Sequence, residues 1–182
     1  MRKILFSIIV IFLTLSLHSQ DKFMTRSGKV SFVSETSLET IIGTNNHVSC
    51  ILNMNNGEII FQMKIISFEF KKALLEEHFN EKYMESEEFP KSTFSGKIDN
   101  WEKINFEEGK IVDVLVSGTI EVHGVKKVIT TNGTMQLNNG NINLLSNFSL
   151  TVADYNIKIQ NAVKDVIAKS VDVSVNLNLK KK

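Results

Sequence analysis

The feature that most limits how this chain can fold is a run of strict two-residue alternations. From Val112 to Val122 the even positions read Val112, Val114, Val116, Gly118, Ile120 and Val122, and the odd positions between them include Asp113, Ser117, Thr119 and Glu121. From Ile142 to Val152 the even positions are Ile142, Leu144, Ser146, Phe148, Leu150 and Val152, set among asparagines, serine and threonine. From Val171 to Leu179 the odd positions are Val171, Val173, Val175, Leu177 and Leu179, with Asp172, Ser174, Asn176 and Asn178 between them. Side chains of a strand point alternately to its two faces, so each segment has one apolar and one polar face. Clean alternation of this kind belongs to antiparallel sheets with one face in water.

Further strands are expected at Lys29–Ser34, His47–Met54, Glu58–Phe70 and Ser92–Ile98. Asn55-Asn56-Gly57, His123-Gly124 and Asn138-Asn139-Gly140 carry hairpin-turn chemistry, and Asn132-Gly133 is expected to mark a bulge. One segment breaks the period. Lys72 to Glu85 spaces Leu75, Phe79 and Tyr83 four apart among Glu76, Glu77, Glu81 and Lys82, which is one face of an amphipathic helix. It ends before Phe89-Pro90, where proline restores extended backbone. A weaker helical turn is expected over Asn161–Lys169. About eight one-sided strands without crossover helices bury their apolar faces against each other, in a sandwich or a closed barrel.

The start of the chain is different. Arg2 and Lys3 precede an apolar run from Ile4 to Leu17, then His18, Ser19 and Gln20. A basic head, a short apolar stretch and small residues after it form an export signal. The run is shorter than the ~20 residues of a spanning helix. Residues 1–19 are therefore expected to be removed, leaving 20–182 as one domain, periplasmic or secreted. The whole chain has 21 Lys+Arg against 20 Asp+Glu, and 19 against 20 once Arg2 and Lys3 are gone. Such balance offers no electrostatic claim on nucleic acid. With Cys50 as the single cysteine, no internal disulfide forms and stability rests on the core. Cys50 reads as a small buried hydrophobe, with no His and acid pattern to activate it.

Three stretches resemble the YceI-like family of exported lipid-binding proteins. The first runs from Phe68-Glu69-Phe70 through Leu75, His78-Phe79 and Tyr83-Met84 to Phe89-Pro90-Lys91-Ser92-Thr93-Phe94. The second is Gly118 to Lys127, ending its strand in His123-Gly124-Val125. The third is Phe148-Ser149-Leu150 followed by Asp154-Tyr155-Asn156-Ile157. The opening strand departs from the family, with Arg26-Ser27-Gly28-Lys29 where a His-Ser pair is usual. The resemblance implies an all-β, extended lipocalin-like antiparallel barrel of about eight strands beside a short helix. It also implies an internal cavity for an isoprenoid or other long-chain lipid.

Such a barrel has an interior that side chains fill or that holds one small ligand. Candidate ligand-binding residues are Phe32, Phe61, Met63, Ile65, Phe94, Val114, Val116, Ile120, Phe148 and Leu150, with Phe79 and Tyr83 on the helix closing one end; all are core residues under either reading. No catalytic residues are expected, and the protein is not expected to be an enzyme, because no nucleophile elbow, phosphate loop or dinucleotide fingerprint is present. No cofactor or metal is expected. His47, His78 and His123 lack metal-ligand spacing; His78 is expected at the helix–barrel contact and His123 in the turn. The expected partner is a long apolar small molecule, with no stable membrane insertion. The alternative is a ligand-free barrel that meets a protein partner through the acidic run Glu76, Glu77, Glu81, Glu85, Glu87 and Glu88.

Overall fold

The computed structural model describes residues 22–182; the expected export signal lies outside them. The strands are β1 (Lys22–Glu35), β2 (Thr40–Asn53), β3 (Glu58–Lys64), β4 (Phe68–Glu69), β5 (Lys91–Ile98), β6 (Ile111–Val122), β7 (Val125–Asn138), β8 (Asn141–Thr151) and β9 (Ser170–Lys181). Their order is β1-β9-β8-β7-β6-β5-β3-β2, and pairing of β2 with β1 closes the ring. All these pairings are antiparallel. The expected barrel is thus present, and closure leaves no outer strand edge along most of its length. The two-residue β4 is a ninth, short piece that pairs with Thr44 and Asn45 of β2 above the end of β3.

Local chemistry sets the turns. His123 and Gly124 both take positive φ between paired Val122 and Val125, and Asn139 and Gly140 do the same between Asn138 and Asn141. Positive φ at both central residues is the hairpin geometry that matches strand twist. Gly133 is not a bulge in the β6–β7 ladder: it pairs in register with Val114 and opens the β7–β8 pairing opposite Ser146. The expected strand 58–70 is instead split by a 3-10 turn at Ile65–Ser67.

Two bulges bend the barrel. In β1 both Arg26 and Ser27 face solvent, which moves the inward positions from Phe23 and Thr25 to Gly28 and Val30. In β2 Asn46 and His47 do the same, moving them from Gly43 and Asn45 to Val48, Cys50 and Leu52. Fully buried Asn45 pins this bend, its Nδ2 donating to the Lys64 carbonyl (2.8 Å) and its Oδ1 accepting from His47 N (2.9 Å). Each bulge inserts one residue and so reverses the parity of the strand beyond it.

The barrel has two unlike halves. At the end holding Asn139-Gly140, the inward residues Leu52, Ile98, Val114, Met135, Ile142, Leu144, Leu177 and Leu179 are all buried and form a dense core. Trp101 closes that end, lying against Gly57 and donating its indole N–H to the Met54 carbonyl at 2.7 Å. Toward the other end, Phe32, Phe61, Met63, Phe148 and Leu150 also point inward but are only half-buried, because part of each borders space.

Candidate functional site: an apolar cavity in one half of the barrel

That space is a cavity of about 270 Å³, just below the ~300–1,000 Å³ range of small-molecule pockets. Its walls are mainly the inward faces of β1, β3, β6, β8 and β9, with Ile41 of β2, Phe68 of β4 and Ser92 of β5. Beyond Lys64 and Lys91 the β3–β5 ladder stops, and helical backbone takes over the wall. Helix α1 (Ala73–His78) runs directly into a single π-helical segment, Phe79–Tyr83, whose Phe79 carbonyl accepts from Met84 N at 2.8 Å. The expected helix is therefore shorter and changes pitch. Leu75, His78, Phe79, Tyr83 and Met84 all line the cavity.

Phe79 is the keystone of this cover. Its ring lies 5.5 Å from that of Phe32, 5.2 Å from Phe68 and 5.0 Å from Phe70, centroid to centroid. These are favourable offset and tilted aromatic contacts. Gly43 lets them form, since a Cβ there would come within 2.5 Å of the Phe32 ring and 2.9 Å of the Phe70 ring. The loop after β8 supplies the remaining cover through Tyr155, Ile157, Ile159, Val163, Val166 and Ile167. It is tied down where Ala168 N donates to Ser34 Oγ (2.9 Å). The expected helical turn in this loop is a 3-10 turn at Asn161–Val163.

Nine of the twelve candidate residues line this cavity: Phe32, Phe61, Met63, Ile65, Phe79, Tyr83, Ile120, Phe148 and Leu150. The other three do not. Phe94 and Val116 border a second void of about 40 Å³ deeper in the barrel, and Val114 is packed into the closed half. Phe61, Ile120, Phe148 and Val175 line both voids and so form the partition between them. Phe94 stacks on Phe61 at 5.6 Å, its ring filling the hollow left by the facing pair Gly96 and Gly118.

Sequence reasoning missed several lining residues. Val30, Val122, Val171, Val173 and Val175 continue inward alternations already visible in the chain. Ile157, Ile159, Val163, Val166 and Ile167 were apolar without a partner element. Ser34, Ser92 and Glu39 carried no signal.

Polar groups are few. Glu39 pairs with Lys72 (2.8 Å). Tyr83 and Tyr155 also line the cavity, and burial raises the pKa of both, with the Asp154 charge adding to the effect at Tyr155. His123 sits in the β6–β7 turn, not in the cavity lining. Among the described residues no group of three or more His, Cys, Asp or Glu is placed to hold a metal ion, and no helix is long and apolar enough to cross a membrane. Buried Cys50 has its thiol pushed up to about 12 by desolvation, which leaves it protonated and unreactive. Part of the acidic run is used internally. Glu76 accepts from Phe70 N (3.3 Å), and Glu85 meets His123. What this arrangement offers chemically is apolar burial.

Residues 22–179 match the sequence profile of the YceI-like domain. The chain belongs to the YceI-like family. Solved structures agree on the fold. A polyisoprenoid-binding domain from Saccharophagus degradans, implicated in plant cell wall breakdown, aligns with a TM-score of 0.78 at 18% identity, over 90% of this chain and 99% of that one. BcnA of Burkholderia cenocepacia aligns at 0.69 and 15% identity, over 84% and 95%. The YceI protein of Campylobacter jejuni aligns at 0.54 and 15% identity, over 77% and 84%. Among curated proteins a direct comparison finds no significant match. In this YceI-like chain the opening strand carries the Arg26–Ser27 bulge.

Proposed function

We propose that this protein binds one long apolar molecule, an isoprenoid or another lipid, inside the barrel and carries or sequesters it, without transforming it. The observation that carries the reading is the contrast between the two halves: the same inward-facing apolar pattern packs solidly in one and surrounds about 270 Å³ of space in the other. The Saccharophagus neighbour's description as polyisoprenoid-binding supports the same class of ligand. The ligand-binding residues are Phe32, Phe61, Met63, Ile65, Phe79, Tyr83, Ile120, Phe148 and Leu150. Phe94, Val114 and Val116 support the floor beneath them.

The energetics suffice. Burying a CH₂ contributes ~0.8 kcal/mol, so a five-carbon isoprene unit contributes roughly 4 kcal/mol. Association costs an estimated 4–15 kcal/mol. Even at the lowest cost about three buried units are needed for micromolar affinity, and no charged anchor is required.

The protein works outside the cytoplasm, with residues 1–19 acting as the export signal. Organic extraction of purified protein followed by mass spectrometry tests the reading: one lipid per chain is expected. A lipid-free extract from protein produced in its own host contradicts it and favours a scaffold that acts through its acidic surface.

A further inference from the structure

Ser92 is the second residue of β5, where the strand leaves Pro90 and turns its first side chain inward. It is 2% exposed, it lines the cavity, and its Oγ has no hydrogen-bond partner among the described residues. The other buried serines are satisfied: Ser34 Oγ accepts from Ala168 N, and Ser146 Oγ donates to the Asn132 carbonyl at 2.7 Å. Ser92 has apolar neighbours on the inner face, with Met63 opposite on β3 and Phe94 two residues along. A buried hydroxyl without a partner forfeits its hydration and gains nothing in return. Native structures leave few such groups, and each calls for an account.

We propose, resting on the carrier reading above, that Ser92 Oγ is an internal anchor for an oxygen atom of the ligand, and that this oxygen is neutral. The ligand class is then a long apolar chain bearing a hydroxyl, ether or carbonyl group. Among the described residues no Lys or Arg lines the cavity, so an anionic head at this position has no permanent cation to meet it. The ionisable lining residues besides the tyrosines are Glu39, an acid already paired with Lys72, and His78 on the helical cover. A buried unpaired anion is far costlier than a buried neutral oxygen. Position adds a second constraint. Two strand residues span ~7 Å, so Ser92 stands about one pleat repeat above the level of Phe94 and the floor formed by Phe61, Ile120 and Phe148. Only a few carbons fit below it. The oxygen-bearing end is therefore the buried end, and the rest of the chain runs up toward Phe79 and the loop after β8.

The test uses the intact chain and Ser92→Ala, with N-phenyl-1-naphthylamine as fluorescent probe and three competitors: farnesol, the hydrocarbon farnesene and farnesyl diphosphate. Wild type is expected to bind farnesol most tightly. In Ser92→Ala, farnesol affinity falls about fivefold to tenfold, farnesene affinity is unchanged, and the thermal midpoint of ligand-free protein does not drop. An unchanged ratio of farnesol to farnesene affinity overturns the anchor while leaving the carrier reading intact. Tightest binding of the diphosphate by wild type overturns the neutral-oxygen assignment. If wild type releases the probe to none of the three, the carrier reading falls and the anchor with it.

Discussion

His123 Nε2 lies 2.9 Å from Glu85 Oε2, joining the β6–β7 turn to the end of the helical cover 38 residues earlier in the chain. The other ring nitrogen, Nδ1, lies 2.9 Å from the Tyr155 carbonyl, and Phe89 packs edge-on against the imidazole at 4.5 Å. One buried ring thus clasps the two segments that roof the cavity. His123→Asn keeps a residue tolerant of the positive φ found here but cannot span both bonds. Its expected cost is about 2 kcal/mol, read as a lower urea midpoint with unchanged slope. Glu85 is half exposed, so Glu85→Gln is expected to cost no more than about 1 kcal/mol. Equal losses for the two variants contradict this ranking.

The partition of Phe61, Ile120, Phe148 and Val175 separates the two voids. Phe148→Ala is expected to merge them and move the preferred ligand to longer chains. Phe148 is only half-buried, so the stability loss stays below the ~3–5 kcal/mol of a fully packed phenylalanine. Affinities across a series of straight-chain alcohols measure the shift. An optimum that does not lengthen rules out the partition as the limit on chain length.

Gly118 faces Gly96 across β5–β6, and a Cβ on it would lie 2.5 Å from the Gly96 Cα and 2.7 Å from the Phe94 ring. Two of the three nearest atoms are backbone and cannot swing away. Gly118→Ala is therefore expected to destabilise by at least about 1–3 kcal/mol, visible in thermal unfolding. A neutral outcome means that the β5 backbone at Ser95–Gly96 gives way as well as the Phe94 ring, and contradicts the close fit.

Cys50 is 1% exposed, and its thiol is pushed from 9.0 to about 12. The folded chain holds this proton more tightly than the unfolded chain. The stabilisation is complete below pH 9 and is lost as pH rises from 9 toward 12, where the unfolded thiol ionises first. Cys50→Ala should flatten that part of the stability curve. Native protein at pH 8 should be inert to a disulfide exchange reagent and should react fully in denaturant.

The alternation in β6, β8 and β9 made the barrel legible, because side-chain parity is a local property of a strand. It named the inward face of each strand correctly. It did not say which stretch of that face borders space. Val114 and Ile120 lie on the same face of β6, yet Val114 is sealed in the dense half and Ile120 reaches the cavity. Depth along the barrel depends on long-range register, such as Val114 against Gly133, which no local pattern records. In β1 and β2 the bulges at Arg26–Ser27 and Asn46–His47 flip the parity midway, so those strands read as irregular. Phe79, where the pitch changes from α to π, likewise joins an aromatic cluster with Phe32, Phe68 and Phe70 that no local pattern records. Ser92 gave no signal, because a serine beginning a strand is an ordinary surface residue until its neighbours close over it.

Titration of purified, delipidated protein with farnesol, followed by loss of N-phenyl-1-naphthylamine fluorescence, tests the central claim most directly. The account predicts saturable displacement at one farnesol per chain, weakened by Phe32→Asp or Phe148→Asp, which place a carboxylate in the cavity wall. Failure of the probe to bind, or displacement that never saturates and ignores both substitutions, contradicts it.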